Sequence, residues 1–175
     1  DPAQYPSLLL KVLADDGAVV YLNGVEVSRI NMPTGAITYQ TGARSAVGGS
    51  GEGEFAETTL NAPPLVAGDN VLAVEVHQDR ASSSDVSFDL WLGVAATTPA
   101  QDEEMLVAAG SVWKYLDDGS DQEIMWSQPE FDDTAWKSGP AQFGYGEGDE
   151  ATVVGFGPDA TNKHMTTYFR HTFTV

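Results

Sequence analysis

The 175-residue chain contains no cysteine, so it can form no disulfide and offers no thiolate to a metal ion. No apolar run approaches the ~20 residues of a membrane-spanning helix, and no membrane insertion is expected. Basic residues are scarce: 8 Lys and Arg stand against 26 Asp and Glu, for a formal net charge of −18. Because nucleic acid binding requires a basic face, nucleic acid is excluded as an expected partner.

Motifs of the common catalytic sites are also missing from the sequence. The three histidines, His77, His164 and His171, lack the short spacing of a zinc site. The GGSG segment at 48–51 has the wrong spacing for a nucleophile elbow. The Gly-rich segment at 144–149 lacks the Lys-Ser/Thr end of a phosphate-binding loop. The sequence therefore predicts a protein without catalytic activity.

What the sequence does contain is a series of short apolar segments with strand periodicity. The stretch 8–29 predicts three strands joined by two tight turns, at Asp15-Asp16-Gly17 and at Asn23-Gly24. Asn-Gly between apolar segments favours a type I′ hairpin, because both central residues of that turn need positive φ. Further strands are predicted within 71–76, 88–92, 106–115 and 168–175. This pattern predicts an all-β fold, an antiparallel sandwich or jelly roll.

Five segments of the chain together resemble a galactose-binding-like jelly-roll module, which recurs in large secreted bacterial proteins. They are LADDGAVVYLNGVEVSR (13–29), LVAGDNVLAVEVHQ (65–78), SSDVSFDLWL (83–92), FDDTAWKSGPAQFGYG (131–146) and TTYFRHTFTV (166–175). The pattern is more distantly similar to the sugar-binding jelly roll of the β-galactosidase superfamily. The resemblance implies a secreted or cell-surface protein, often with a structural Ca²⁺, but no particular activity, because this fold hosts many functions.

The order of these segments departs from the family, in which the segments at 131–175 come before those at 13–92. Residues 1–94 are therefore expected to be the back half of a module, and 104–175 the front half of the next module or of the same, permuted one. The composition of 95–103 predicts a linker between them. One interpretation is a tandem array or strand exchange between copies; the other is a self-contained permuted domain. Copies of the chain or adjacent repeats, and polysaccharide, are the expected partners.

Two acidic turns are candidates for binding Ca²⁺, which takes six to eight oxygen ligands. The predicted ligands are Asp117, Asp118 and Asp121 of the second turn, with Glu147 and Asp149 from the Gly-rich loop. The first turn, Asp15-Asp16-Gly17, resembles the acidic pair of Ca²⁺-dependent lectin modules of the PA14 type. Ordinary turn chemistry is the alternative for both turns, because Asp hydrogen-bonds its own backbone in turns.

Aromatic side chains that stay exposed can stack on sugar rings. Trp113 and Trp136 lie in segments that define the fold and are predicted to be buried. Trp126 and Tyr145 are predicted to be exposed, which makes them the candidate carbohydrate-binding residues. The leading hypothesis is a non-catalytic structural module of a secreted bacterial surface array, adhesin or extracellular filament. The alternative is a carbohydrate-binding module attached to a secreted hydrolase.

Overall fold

The computed structural model describes residues 1–94 and 104–175, so the predicted linker at 95–103 lies outside the described residues. The described residues contain twelve strands and three short 3₁₀ turns, and these twelve strands form two sheets that pack as a sandwich. The strands are β1 (Ser7–Asp15), β2 (Gly17–Leu22), β3 (Val25–Ile30), β4 (Ala56–Asn61), β5 (Asp69–His77), β6 (Val86–Val94), β7 (Glu104–Val107), β8 (Val112–Leu116), β9 (Lys137–Pro140), β10 (Phe143–Tyr145), β11 (Thr152–Val153) and β12 (Thr166–Thr174). The 3₁₀ turns are Pro2–Gln4, Gly49–Gly53 and Met125–Ser127. The predicted all-β sandwich is confirmed.

The two sheets have different strand orders. The first sheet runs β11-β10-β6-β1-β4, and β7 also pairs with β6. The second sheet runs β3-β2-β5-β12-β8-β9. All the strand pairs of the described residues are antiparallel except β10 with β11.

The two turns predicted in the stretch 8–29 differ in the structure. Asn23 and Gly24 both have positive φ, 52° and 77°, and they join β2 to β3 as the predicted hairpin. The turn at Asp15-Asp16 is not a hairpin, because β1 belongs to the first sheet and β2 to the second. The chain changes sheet there, and the Asp15–Asp16 peptide bond is cis. The acidic turn therefore connects a strand of the first sheet to a strand of the second.

Both sheets combine strands from the two segments 1–94 and 104–175. Strand β12 lies between β5 and β8, in an unbroken register with β5 from Thr166↔His77 to Thr174↔Asp69. Strand β10 pairs with β6 in the first sheet. In the core between the sheets, the rings of Phe88 and Phe169 stack with centroids 4.3 Å apart. Strand β12 and strands of the segment 1–94 thus belong to the same sheet of the sandwich.

A second apolar layer covers the outer face of the second sheet. All six residues of β2 are buried, because alternate side chains face the core and the outer layer. Trp126 is the centre of this outer layer, and its ring centroid lies 4.8 Å from that of Tyr168 and 5.7 Å from that of Tyr21. The layer also contains Val19, Met32, Ala73 and Trp136, with Ile37, Tyr39, Ala43, Leu116 and Phe131 packed against it.

Candidate functional site

The predicted carbohydrate-binding residues are buried, and the prediction that they are exposed is wrong. Trp126 is 1% exposed, because loops from both segments fold over the outer face of the second sheet. Tyr145 is 7% exposed and belongs to β10 rather than to a loop. Its hydroxyl accepts a hydrogen bond from Gln78 Nε2 at 2.6 Å. Neither ring presents a face on which a sugar could stack.

The acidic turn at 117–121 already has hydrogen-bond donors for its carboxylates. Asp117 accepts from Lys137 Nζ at 2.7 and 2.9 Å and from the Gly155 N–H at 2.6 Å. The hydrogen bond between Asp117 and Lys137 is also the main reason why the pKa of Lys137 is raised. Asp118 accepts from the N–H and hydroxyl of Ser120, and Asp121 accepts from the Glu123 N–H. These contacts are the alternative expected for this turn, ordinary turn chemistry.

The predicted metal set therefore does not form one site. Within the described part of the chain, the group of three acidic side chains close enough to share a metal ion is Glu52, Asp85 and Glu147. One carboxylate oxygen from each lies within 4.8 Å of the others. Of the five predicted ligands, only Glu147 belongs to this group. Asp117, Asp118, Asp121 and Asp149 do not.

Strand register explains why two of these three side chains meet. Asp85 directly precedes β6 and Glu147 follows β10, and the pairing Tyr145↔Val86 brings the two ends together. Gly146 permits the close approach, because a Cβ at this position would lie 2.7 Å from Asp85 Cβ, and its φ is 109°. Glu52 comes from the 3₁₀ turn Gly49–Gly53.

Asp15 and Asp16 extend the same acidic surface into the interior. Asp15 pairs in register with Ser87, two residues beyond Asp85. Burial, followed by the neighbouring carboxyl groups of Asp16 and then Asp85, raises the pKa of Asp15 to about 9. We call the set of Asp15, Asp16, Glu52, Asp85 and Glu147 the acidic loop end.

Hydrogen-bond donors are scarce around Asp15. It is 1% exposed, and neither of its carboxylate oxygens accepts a hydrogen bond from any described residue. The same is true, within residues 1–94 and 104–175, of the buried oxygens Ser87 Oγ, Gln78 Oε1 and Asp79 Oδ1. Asp16 differs, because it accepts the N–H groups of Val47 and Asp79 at 2.7 Å each. A buried carboxylate without donors is costly unless a proton or a cation neutralises it.

A nearby lysine does not supply that charge in this arrangement. Lys163 Nζ donates to the carbonyl oxygens of Ser83 and Ser84, and it lies 5.0 Å from the centroid of the Tyr145 ring. Its ammonium group is thus directed at backbone oxygens beside Asp85. The acidic loop end combines several carboxylates with buried oxygens that lack donors, which is the chemistry of a cation site.

A series of buried polar side chains in contact with one another crosses the second sheet, away from the acidic loop end. Tyr21 donates to Glu75 Oε1 at 2.8 Å, and Glu75 Oε2 lies 3.2 Å from His77 Nε2. His77 Nδ1 lies 2.8 Å from Thr41 O and 2.9 Å from Thr166 Oγ1, so Nδ1 carries a proton because a carbonyl only accepts.

Thr166, His77 and Glu75 have the order of hydroxyl, imidazole and carboxylate that occurs in hydrolases. The Thr166 hydroxyl, however, donates its proton to a backbone carbonyl. Thr166 Oγ1 donates to Tyr39 O at 2.7 Å, and His77 holds Thr41 O of the same loop. Both contacts are buried or half-buried and fasten this loop to the second sheet. The contacts fit a structural clamp. Glu75 and His77 are two residues apart in β5, so their side chains share a face of the sheet.

No family model matches the chain, and comparisons with curated proteins and with solved structures find no match. Among the described residues, no helix has the length and apolar character needed to cross a membrane.

Proposed function

We propose that this chain is a non-catalytic structural module of a secreted bacterial surface array, adhesin or extracellular filament, and that Ca²⁺ binds at its acidic loop end. The observation that carries the proposal is Asp15, a buried carboxylate that no described donor satisfies. It lies beside Asp16 and Asp85, and Asp85 in turn shares a group with Glu52 and Glu147. A divalent cation would offset the repulsion among these carboxylates.

The oxygen chemistry favours Ca²⁺ over other divalent ions. The candidate ligands are carboxylate oxygens, and Ca²⁺ accepts six to eight oxygen ligands in irregular geometry. Mg²⁺ requires a near-ideal octahedron and sheds water reluctantly, and zinc prefers nitrogen and sulfur ligands. Glu147 is exposed and Asp85 half-buried, which gives an ion a route from solvent.

Such an ion would connect parts of the chain that are distant in sequence. The acidic loop end joins the β1–β2 junction, the turn at Gly49–Gly53, the start of β6 and the end of β10. The first three belong to the segment 1–94 and the last to 104–175. Binding at this point would hold the two segments together, because a ligand that binds only the folded state stabilises it. This supports a structural role.

The edges of the sheets bear on how copies would associate. Edge strand β3 carries Glu26 and Arg29, which pair with each other at 2.7 Å. Edge strand β9 contains Lys137 and Pro140, and edge strand β4 contains Glu57. Charges and proline on edge strands oppose the addition of another strand. We therefore favour tandem linkage of modules over strand exchange as the mode of assembly.

The alternative, a carbohydrate-binding module, is less well supported because its two candidate stacking residues are buried. Trp126 and Tyr145 both lie inside the fold, so this function would need a different aromatic surface. The structural module is the better supported of the two functions.

Calorimetric titration of the metal-free chain with CaCl₂ tests the proposal. We expect saturable binding with a Kd at or below about 10⁻³ M, and weaker binding of Mg²⁺ under the same conditions. The titration is run in 0.15 M NaCl, because salt screens the general attraction between a strongly acidic protein and cations. Heat that does not saturate, or that is the same for Asp85→Asn as for the unaltered chain, would contradict the proposal.

A further inference from the structure

A second candidate binding site lies on the outer face of the second sheet and shares no residue with the acidic loop end. It is a cavity of about 300 Å³ between the loop that contains Tyr39 and the loop that contains Asp121 and Glu123. Its volume is at the lower end of the range for small-molecule sites, ~300–1,000 Å³. The cavity therefore suits a small ligand or a single side chain of a larger one.

The floor of this cavity is built from three adjacent strands. Tyr21 of β2, Glu75 of β5 and Tyr168 of β12 are neighbours, because Tyr168 and Glu75 are register partners and Tyr21 pairs with Ala73, two residues from Glu75. All three side chains are buried, and the Tyr21 hydroxyl donates to Glu75 Oε1 at 2.8 Å. Two phenol rings and one carboxylate are thus held in place on the sheet before any ligand arrives.

The rim of the cavity adds two exposed carboxylates and a third phenol. Asp121 and Glu123 lie on one side, and Asp121 Oδ1 accepts the Glu123 N–H at 2.8 Å, which fixes the loop between them. Tyr39 lies on the other side, and its carbonyl is held by Thr166. The rim is therefore acidic and partly aromatic, and the loop that contains Tyr39 is anchored to β12.

The charges around the cavity are unbalanced. None of the described residues that line it is Lys, Arg or His, although three of them are carboxylic acids. His77 contacts the far oxygen of Glu75, and Arg29 is engaged by Glu26 and by the carbonyl oxygens of Pro33 and Gly35. Burial, followed by the charge of Glu75, raises the pKa of both Tyr21 and Tyr168, so both phenols are neutral at physiological pH.

We propose that this cavity binds an alkylammonium group, such as a lysine side chain or the ammonium group of an amino sugar. An ammonium ion is attracted to the faces of aromatic rings and to carboxylates, and the attraction grows when the site is shielded from water. The rim acids Asp121 and Glu123 would draw the cation in, and the buried floor of Tyr21, Tyr168 and Glu75 would receive it. Anionic ligands are disfavoured by the same charges.

The test compares probes that differ in one positive charge. Nα-acetyl-lysine methylamide is titrated against its Nζ-acetylated form, and glucosamine against N-acetylglucosamine, each followed by amide chemical shifts of the ¹⁵N-labelled chain in Ca²⁺-containing buffer. We expect at least one charged probe to bind about tenfold more tightly than its neutral partner, with the largest shifts at the cavity residues. The pair that shows the difference identifies the source of the ammonium group.

A matched pair of variants separates the cavity from the general acidity of the protein. Asp121→Asn with Glu123→Gln removes both rim charges, and Asp159→Asn with Glu130→Gln removes two exposed charges that do not line the cavity. Asp159, like Asp121, accepts a backbone N–H two residues later, and it also accepts the Thr161 hydroxyl. We expect affinity for the charged probe to fall about fivefold in the rim variant only.

Two results would overturn the proposal. One is equal binding of charged and neutral probes in both pairs, including no binding by any of them. The other is an equal loss of affinity in the rim variant and in the control variant, which would mean bulk attraction by the net charge. If the rim variant does not fold by circular dichroism, Tyr39→Leu takes its place against the same control. Because the buffer already contains Ca²⁺, failure here leaves the proposed Ca²⁺ site unaffected.

Discussion

The acidic turn at 117–121 and the acidic loop end look alike in composition but differ in their hydrogen bonds. Asp117 accepts three hydrogen bonds, from both an ammonium group and a backbone N–H. Asp15 is equally buried but accepts none from the described residues. The first carboxylate is part of a completed structural contact, and the second requires a proton or an ion. The supply of donors, not the number of acids, distinguishes a structural turn from a candidate cation site.

The largest effect is expected at the donor-rich turn. Asp117→Ala removes the acceptor of Lys137 and of the Gly155 N–H, so it should lower the free energy of unfolding by about 2–3 kcal/mol. Lys137 can turn to solvent, but the backbone N–H loses a partner in a half-buried place. Urea unfolding measures the change. Asp118→Ala, which removes an exposed turn contact, is the control, and an equally small effect of both variants would contradict this account.

Gly146 offers a way to disturb the acidic loop end by packing alone. Gly146→Ala places a Cβ 2.7 Å from Asp85 Cβ and forces a positive φ on alanine, so it should cost about 1–2 kcal/mol and weaken Ca²⁺ binding. Gly148→Ala shares the positive φ but would contact nothing within 4 Å. Thermal unfolding should give a lower melting temperature for Gly146→Ala than for Gly148→Ala, and calorimetry should give a lower Ca²⁺ affinity. Equal Ca²⁺ affinities in both would argue against Asp85 and Glu147 acting together.

Substitution of a buried residue usually destabilises a protein, but Asp15→Asn is not expected to do so when Ca²⁺ is absent. In EGTA we expect the variant to be as stable as the unaltered chain or more stable by about 1 kcal/mol, because it removes a buried acid that must take up a proton when no cation is bound. In Ca²⁺ the variant should be the less stable of the two, because it has lost a ligand. Chemical denaturation in both buffers measures this crossover. A variant that is less stable by the same amount in both would show that Asp15 is structural.

The smallest effect concerns a group outside both regions. Burial lowers the pKa of His171, against the hydrogen bond that its Nδ1 donates to Val112 O. The unfolded chain then binds a proton more readily than the folded chain, so stability should fall as the pH drops below about 6.5. The free energy of unfolding, measured by denaturation between pH 7.5 and about 5, should fall less steeply with decreasing pH in His171→Gln than in the unaltered chain. An unchanged slope would assign the loss of stability to the carboxylates instead.

The parts of the fold that sequence predicts best are local. The Asn23-Gly24 hairpin follows from the φ angles that its two residues tolerate. The apolar run 71–76 predicted a strand, and β5 is that strand, with both of its faces buried. The layer that covers it was not predicted, because Trp126 lies in an irregular loop segment whose folding onto the sheet depends on contacts with Tyr21 and Tyr168.

The candidate site was predicted only in part, for a related reason. Glu147 was among the predicted ligands, but Asp85 and Glu52 were not, and Asp117 was wrongly grouped with Glu147. The meeting of Asp85 with Glu147 depends on the register of β6 with β10, residues more than fifty positions apart. No local pattern encodes that pairing. The absence of donors around Asp15 likewise emerges only when all neighbouring strands are in place.

The most direct test of a Ca²⁺ site at the acidic loop end is the change in melting temperature that Ca²⁺ causes in three proteins: the unaltered chain, Asp85→Asn and Asp118→Asn. Each variant removes one carboxylate charge, one from the acidic loop end and one from the donor-rich turn. With Ca²⁺ at one hundred times its Kd, we predict a rise of about 5–10 °C over EGTA for the unaltered chain and for Asp118→Asn. Asp85→Asn should show little or no rise. Equal rises in all three proteins, or a rise lost only in Asp118→Asn, would contradict a Ca²⁺ site at the acidic loop end.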